Sequence, residues 1–107
     1  MAEHVGWVET RSGAVFSGLE LPPGASRSTA VVVVPPFGWH GISAARGLRG
    51  WARDLAGTGY PTLRYHPPGE GDSAGRGTDH DVTSWAAALA DLVAQLCRAT
   101  GCASVTA

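Results

Sequence analysis

The 107-residue chain has room for one small domain and not two. It is 44% hydrophobic and 16% charged, as in a globular protein, and its net charge of −1 gives no electrostatic case for nucleic acid or an anionic membrane surface as partner. No apolar run is long enough to span a bilayer, the N-terminus lacks the basic and apolar segments of a secretory signal, and Cys97 and Cys102 make neither a disulfide framework nor a zinc set, so the expected setting is the reducing cytoplasm, without metal or other cofactor.

In chain order, 5–10 can form a strand with Val5, Trp7 and Glu9 on one face. After a turn at Arg11, Ser12 and Gly13, a second strand over 14–21 completes an antiparallel hairpin. Pro22, Pro23 and Gly24 end it, and 25–29 is a small polar linker. Val31, Val32, Val33 and Val34 then form an unbroken β-branched run, which reads as a strand covered on both faces. Pro35 and Pro36 cannot donate to a ladder and stop it. Ligands in open α/β sheets bind beyond the carboxyl ends of the strands, so the loop 35–41 is the first place to look for function.

A helix is predicted over 43–56, with Ala44, Ala45, Leu48, Trp51, Ala52 and Leu55 on its apolar face and Arg46, Arg49 and Arg53 off it. Gly57 and Gly59 stop it. The strand that follows, 61–66, is parallel to the valine strand because a helix connects them. A glycine-rich loop over 67–78 leads to a helix over 81–100, whose stripe is Val82, Trp85, Ala86, Leu89, Leu92, Val93 and Leu96. Thr78, Asp79 and Asp81 are candidate N-caps and Gly101 the residue that ends the helix. The segment 103–107 begins another strand. His4 and His80 read as exposed.

The string Leu-Arg-Tyr-His-Pro-Pro-Gly-Glu-Gly-Asp-Ser-Ala-Gly over 63–75 fits three patterns, of which at most one is right. Gly71, Ser73 and Gly75 spell Gly-x-Ser-x-Gly, the nucleophile elbow. An elbow needs a strand running into the serine and a helix leaving it, and neither adjoins Ser73. Gly69, Gly71 and Ala74 spell a dinucleotide fingerprint, Gly-x-Gly-x-x-Ala, with Asp91 about 20 residues on, yet inside a helix. The two prolines and the late helix start spoil its tight turn.

The third pattern uses the whole chain. The valine strand with Pro35, Pro36, Phe37 and Gly38, then Arg49, Ala52, Leu55, Ala56, Gly59, Tyr60, Pro61, Thr62, Leu63, Arg64 and Tyr65 in their spacing, then Pro68, Gly69, Gly71, Asp72 and Ser73, resembles the N-terminal part of the α/β-hydrolase superfamily, in its serine aminopeptidase-like and esterase-like bacterial flavour. The resemblance implies an α/β fold: a partial α/β-hydrolase sheet in three layers, an N-terminal antiparallel hairpin followed by parallel β-α-β-α-β, with 1–107 as a single truncated domain. In the family the loop after the central strand usually reads His-Gly. By position Phe37, with Gly38 next, would supply the backbone N–H of an oxyanion hole, where a preorganised donor stabilises the charge that develops in acyl transfer. Trp39 and His40 would line a substrate pocket. Gly69, Gly71 and Asp72 would belong to a structural loop, with Ser73 a turn and capping group rather than the nucleophile. Where the family commonly has Asp, before Pro67, this chain has His66, read as a packed or hydrogen-bonded substitute.

The family's nucleophile elbow follows the strand that begins near Ala103, so the serine nucleophile, the acid and the catalytic histidine would all lie beyond this chain. The resemblance thus implies a hydrolase of ester, thioester or amide bonds in small molecules, with this chain alone lacking the triad. The alternative is a non-catalytic α/β binding domain, with a nucleotide held by the loop 69–74. An open edge beside the valine strand is expected to make the isolated chain marginally stable.

Overall fold

The computed structural model describes residues 2–35, 39–69, 71–76 and 80–106, and for residues 2 and 39–45 the backbone alone. Seven elements follow in order: β1 (Ala2–Thr10), β2 (Gly13–Leu21), β3 (Thr29–Val33), α1 (Trp39–Gly57), β4 (Thr62–Tyr65), α2 (Val82–Thr100) and β5 (Ser104–Thr106). They form one five-stranded sheet in the order β1-β2-β4-β3-β5. β1 and β2 are an antiparallel hairpin in the register Thr10 to Gly13 through Ala2 to Leu21. β2 continues antiparallel onto β4, whereas β3 runs parallel to both β4 and β5. The valine strand β3 therefore lies between the other two parallel strands, although it ends at Val33 and Val34 is 42% exposed.

The two helices cover opposite faces. On one, α2 places Ala88, Leu92 and Leu96 against Val15, Ala30, Val32, Leu63 and Tyr65, a contiguous buried core with Val8, Leu19, Leu89 and Val93 packed around it. On the other, α1 buries Ala52 and Ala56, and its Arg49 and Arg53 reach Glu3 and Glu20, which face each other across the β1–β2 pair. Strand side chains alternate faces, so one sheet feeds two layers. The result is three layers, helix on sheet on helix.

Several local expectations need correcting. α1 begins at Trp39 rather than at 43, so Trp39 and His40 belong to its first turn and not to a loop. Trp51, expected on the buried face of α1, is 64% exposed, because the small Ala52 and Ala56 make the close approach to the sheet instead. Val82 is 72% exposed at the start of α2, and Ala88, missing from the expected stripe, is fully buried. His80 is half-buried, with Nδ1 3.1 Å from the Ser84 hydroxyl. Asp81 is the α2 N-cap: its side chain accepts from the Ser84 N–H while the Ser84 hydroxyl accepts from the Asp81 N–H, a reciprocal capping box. Gly101 closes the helix in the left-handed region, φ 68°, and donates its N–H to the Cys97 carbonyl. The expected caps Thr78 and Asp79 lie outside the described residues. Both cysteines are free thiols.

Candidate functional site

The carboxyl ends of β3 and β4 lie side by side, since Val33 pairs with Arg64. Two connections leave from there. The one from β3 passes Val34 and buried Pro35 and enters α1 at Trp39. Phe37 and Gly38, the expected oxyanion donors, lie outside the described residues, as do the side chains of Trp39 and His40.

The connection from β4 is the loop 67–75, and it is tied down at Pro68, Gly69, Asp72, Ser73 and Ala74. It starts on two buried prolines, Pro67 and Pro68. The Trp85 indole of α2 donates to the Pro68 carbonyl at 3.2 Å. The Trp7 indole of β1 donates to the Asp72 carbonyl at 2.8 Å. Inside the loop, the Gly69 N–H donates to the Ala74 carbonyl at 3.0 Å, and the Ala74 N–H donates to Ala14 of β2 at 2.9 Å.

Ser73 is buried, with 8% of its surface exposed. Its hydroxyl accepts the Phe16 N–H at 2.9 Å and donates to the His66 carbonyl at 2.5 Å. Both partners are main-chain groups, and among the described residues the next helix after Ser73 starts at Val82. That is the setting of a bridging hydroxyl. An elbow serine needs a base beside its oxygen and a helix directly after it.

His66 follows β4 directly. Its ring lies 4.7 Å from the Phe16 ring, tilted 33°, and Phe16 in turn meets Trp7 edge-on at 5.4 Å. His66 Nδ1 accepts the Asp72 N–H at 3.0 Å, and the Asp72 carboxylate stands 3.8 Å from the same nitrogen. Accepting at Nδ1 fixes the neutral ring as the Nε2–H tautomer. Burial pushes the His66 pKa below the usual histidine value; Asp72 opposes the shift and Arg64 adds to it.

The dinucleotide reading depends on free backbone N–H groups facing a phosphate. Here the N–H groups of Gly69, Asp72 and Ala74 are already donated within the protein. Among the described residues, no group of three or more His, Cys, Asp or Glu is placed to hold a metal ion. No helix of the described residues is long and apolar enough to cross a membrane.

The indole clamps and the Phe16–Ser73 bond join residues far apart in sequence, so no local spacing announces them. The same holds for the ionic cluster beneath α1. There Arg49 grips the Glu3 carboxylate with two nitrogens, at 2.8 and 3.1 Å, and Arg64 adds a third contact at 3.2 Å. Only the alternation that puts Glu3 and Glu20 on the α1 face was available in the sequence.

Known structures share the fold. The chain is similar to an α/β serine hydrolase without a lid from Xanthomonas campestris, with a TM-score of 0.79 and 16% identity over 98% of this chain and 49% of that one. It is similar also to an α/β serine hydrolase homologue from Coxiella burnetii, with a TM-score of 0.74 and 18% identity over 98% of this chain and 50% of that one. A hypothetical protein from Pseudomonas aeruginosa matches with a TM-score of 0.57 and 24% identity over 85% of this chain and 30% of that one. No protein-family model and no curated protein matches. The fold is therefore that of the α/β serine hydrolase structures it matches. The chain spans about half the length of the two hydrolase structures it matches.

Proposed function

We propose that this chain is the N-terminal part of an α/β-hydrolase that cleaves an ester, thioester or amide bond of a small molecule through a serine encoded beyond Ala107. The observation that carries the reading is the fold, with sheet order β1-β2-β4-β3-β5 and α1 as the next element after β3, which matches serine hydrolase structures at TM-scores of 0.79 and 0.74. In this reading the backbone of Phe37 and Gly38 offers N–H groups to the developing oxyanion. Trp39 and His40, in the first turn of α1, line the substrate side. Gly69, Gly71, Asp72 and Ser73 form a structural floor, and Ser73 is not the nucleophile, because its hydroxyl already serves two main-chain partners. The protein works in the cytoplasm.

The test is to treat the complete gene product with a fluorophosphonate, which labels activated serines, and to map the adduct by mass spectrometry. One adduct per molecule on a serine outside 1–107 is the expected result. An adduct on Ser73 overturns the role given to the loop, and no adduct at all overturns the hydrolase reading.

A further inference from the structure

The loop 67–75 is held partly by a group that can change its hydrogen-bonding sense. His66 Nδ1 accepts the Asp72 N–H at 3.0 Å, which it can do only while that nitrogen carries no proton. We propose that His66 is a proton-operated latch on this loop: neutral, it holds the Asp72 amide down; protonated, it becomes a donor at both nitrogens and releases it. This goes beyond the hydrolase reading and does not depend on it.

The surroundings make the switch a local exchange and not a general loosening. The Asp72 carboxylate, 3.8 Å from Nδ1, lies just beyond hydrogen-bond distance and reaches the new N–H by a small side-chain movement, so one residue contributes its amide in one state and its side chain in the other. Downstream, Ser73 stays bonded to Phe16 and to the His66 carbonyl, and Ala74 to Ala14. Upstream, Gly69 is tied to the Ala74 carbonyl. Among the described residues the movement is thus confined to Gly71 and Asp72. Gly71 packs so closely on the ring that a Cβ there would lie 2.5 Å from Nδ1, so Gly71 has no room to move toward the ring while the latch is closed.

The charged groups facing His66 among the described residues are Asp72 from the loop and Arg64 from β4. From β2 it meets the Phe16 ring, with the Trp7 ring of β1 behind it. Trp7 donates to the Asp72 carbonyl, so the exchange also loads or relaxes a contact that ties β1 to the rim of the sheet. A mild acid shift would in this way alter the loop beside the carboxyl ends of β3 and β4.

Histidine ring nitrogens and backbone amides of the full gene product, followed by NMR from pH 8 to pH 4, test the latch. Expected at high pH is an Nε2–H tautomer for His66 and a protected Asp72 amide. As His66 titrates, the Asp72 amide should shift with the same midpoint and lose protection about tenfold, the change that one hydrogen bond of ordinary net strength supports. His66→Asn places a non-titrating oxygen where Nδ1 stood and should leave the Asp72 amide protected throughout. His80→Gln should leave the step intact. An Nδ1–H tautomer at pH 8, an Asp72 amide indifferent to the His66 titration, or a step that survives His66→Asn overturns the proposal. The unsubstituted protein alone decides the first two outcomes, whatever the variants do.

Discussion

Ser73 Oγ donates to the carbonyl of His66 at 2.5 Å, closing the loop back onto the end of the strand from which it left. The same oxygen accepts from Phe16 on the neighbouring strand, so one hydroxyl joins β2, β4 and the loop. Ser73→Ala would leave the part-buried Phe16 N–H and His66 carbonyl without that partner. The expected cost is about 1–3 kcal/mol, the penalty for stranding buried polar groups, read as a lower urea midpoint. If Ser73 were a nucleophile in a strained elbow, its removal would leave stability unchanged or raise it.

The element order and the parallel pairing were legible because they rest on short-range signals, whereas the place of the valine strand between its neighbours came with the hydrolase resemblance. Val31, Val32 and Val33 are β-branched and uninterrupted, Pro35 ends the run, and a helix between two strands forces them parallel. The helix faces were legible only in part. Trp51 and Val82 fit an apolar stripe yet stand exposed, because in each helix alanines, Ala52 and Ala88, set the distance to the sheet. The loop motif could be read as three chemistries because Gly-x-Ser-x-Gly and Gly-x-Gly-x-x-Ala specify backbone freedom, not partners. What separates them is the destination of the Ser73 hydroxyl and of the Gly69, Asp72 and Ala74 amides, all set by contacts distant in sequence.

Two glycines should respond to alanine in opposite directions. Gly71 has φ 52°, a conformation costly to residues with a Cβ, and its added methyl would meet the His66 ring. Gly71→Ala is expected to destabilise by about 1–3 kcal/mol. Gly47 lies within α1, and a methyl added there would meet no atom within 4 Å, so Gly47→Ala should stabilise by about 0.5–1 kcal/mol through helix propensity alone. Thermal melts of both variants at one pH check the pair.

His66 also makes stability depend on pH. Its pKa in the folded protein is lowered, chiefly by burial, so below about pH 6.5 the unfolded chain binds the proton more readily. Stability therefore falls as pH drops from the unfolded histidine value through the folded one. Asp72 counters the shift, so Asp72→Asn should lower the His66 midpoint further and steepen the loss. Urea midpoints across pH 4 to 8, with and without the substitution, measure this. An unchanged His66 midpoint would mean that the carboxylate at 3.8 Å exerts no field on the ring.

The carboxylates Glu3 and Glu20 stand directly opposite each other on adjacent strands, where like charges repel. The arginines resolve the conflict unequally. Glu3 takes Arg49 through two nitrogens and Arg64 through one, and is held down at about 2, chiefly by the Arg49 hydrogen bonds. Glu20 is only 1% exposed, has Arg53 no nearer than 3.6 Å, and is pushed up by burial and then by Glu3. The two signs of linkage follow. Glu3 contributes stability above the unfolded carboxyl value that is lost as pH falls from about 4.5 toward 2. Glu20 contributes stability below about 4.5 that is lost as pH rises through its raised folded value. Glu3→Gln should therefore cost about 1–3 kcal/mol at neutral pH, where charged hydrogen bonds to Arg49 and Arg64 are broken, and progressively less toward pH 2. Glu20→Gln, which keeps the neutral shape at every pH, should gain on the unsubstituted protein as pH rises above 4.5. Parallel pH slopes for the two variants would show that the proton is not divided between these residues as their arginine contacts require.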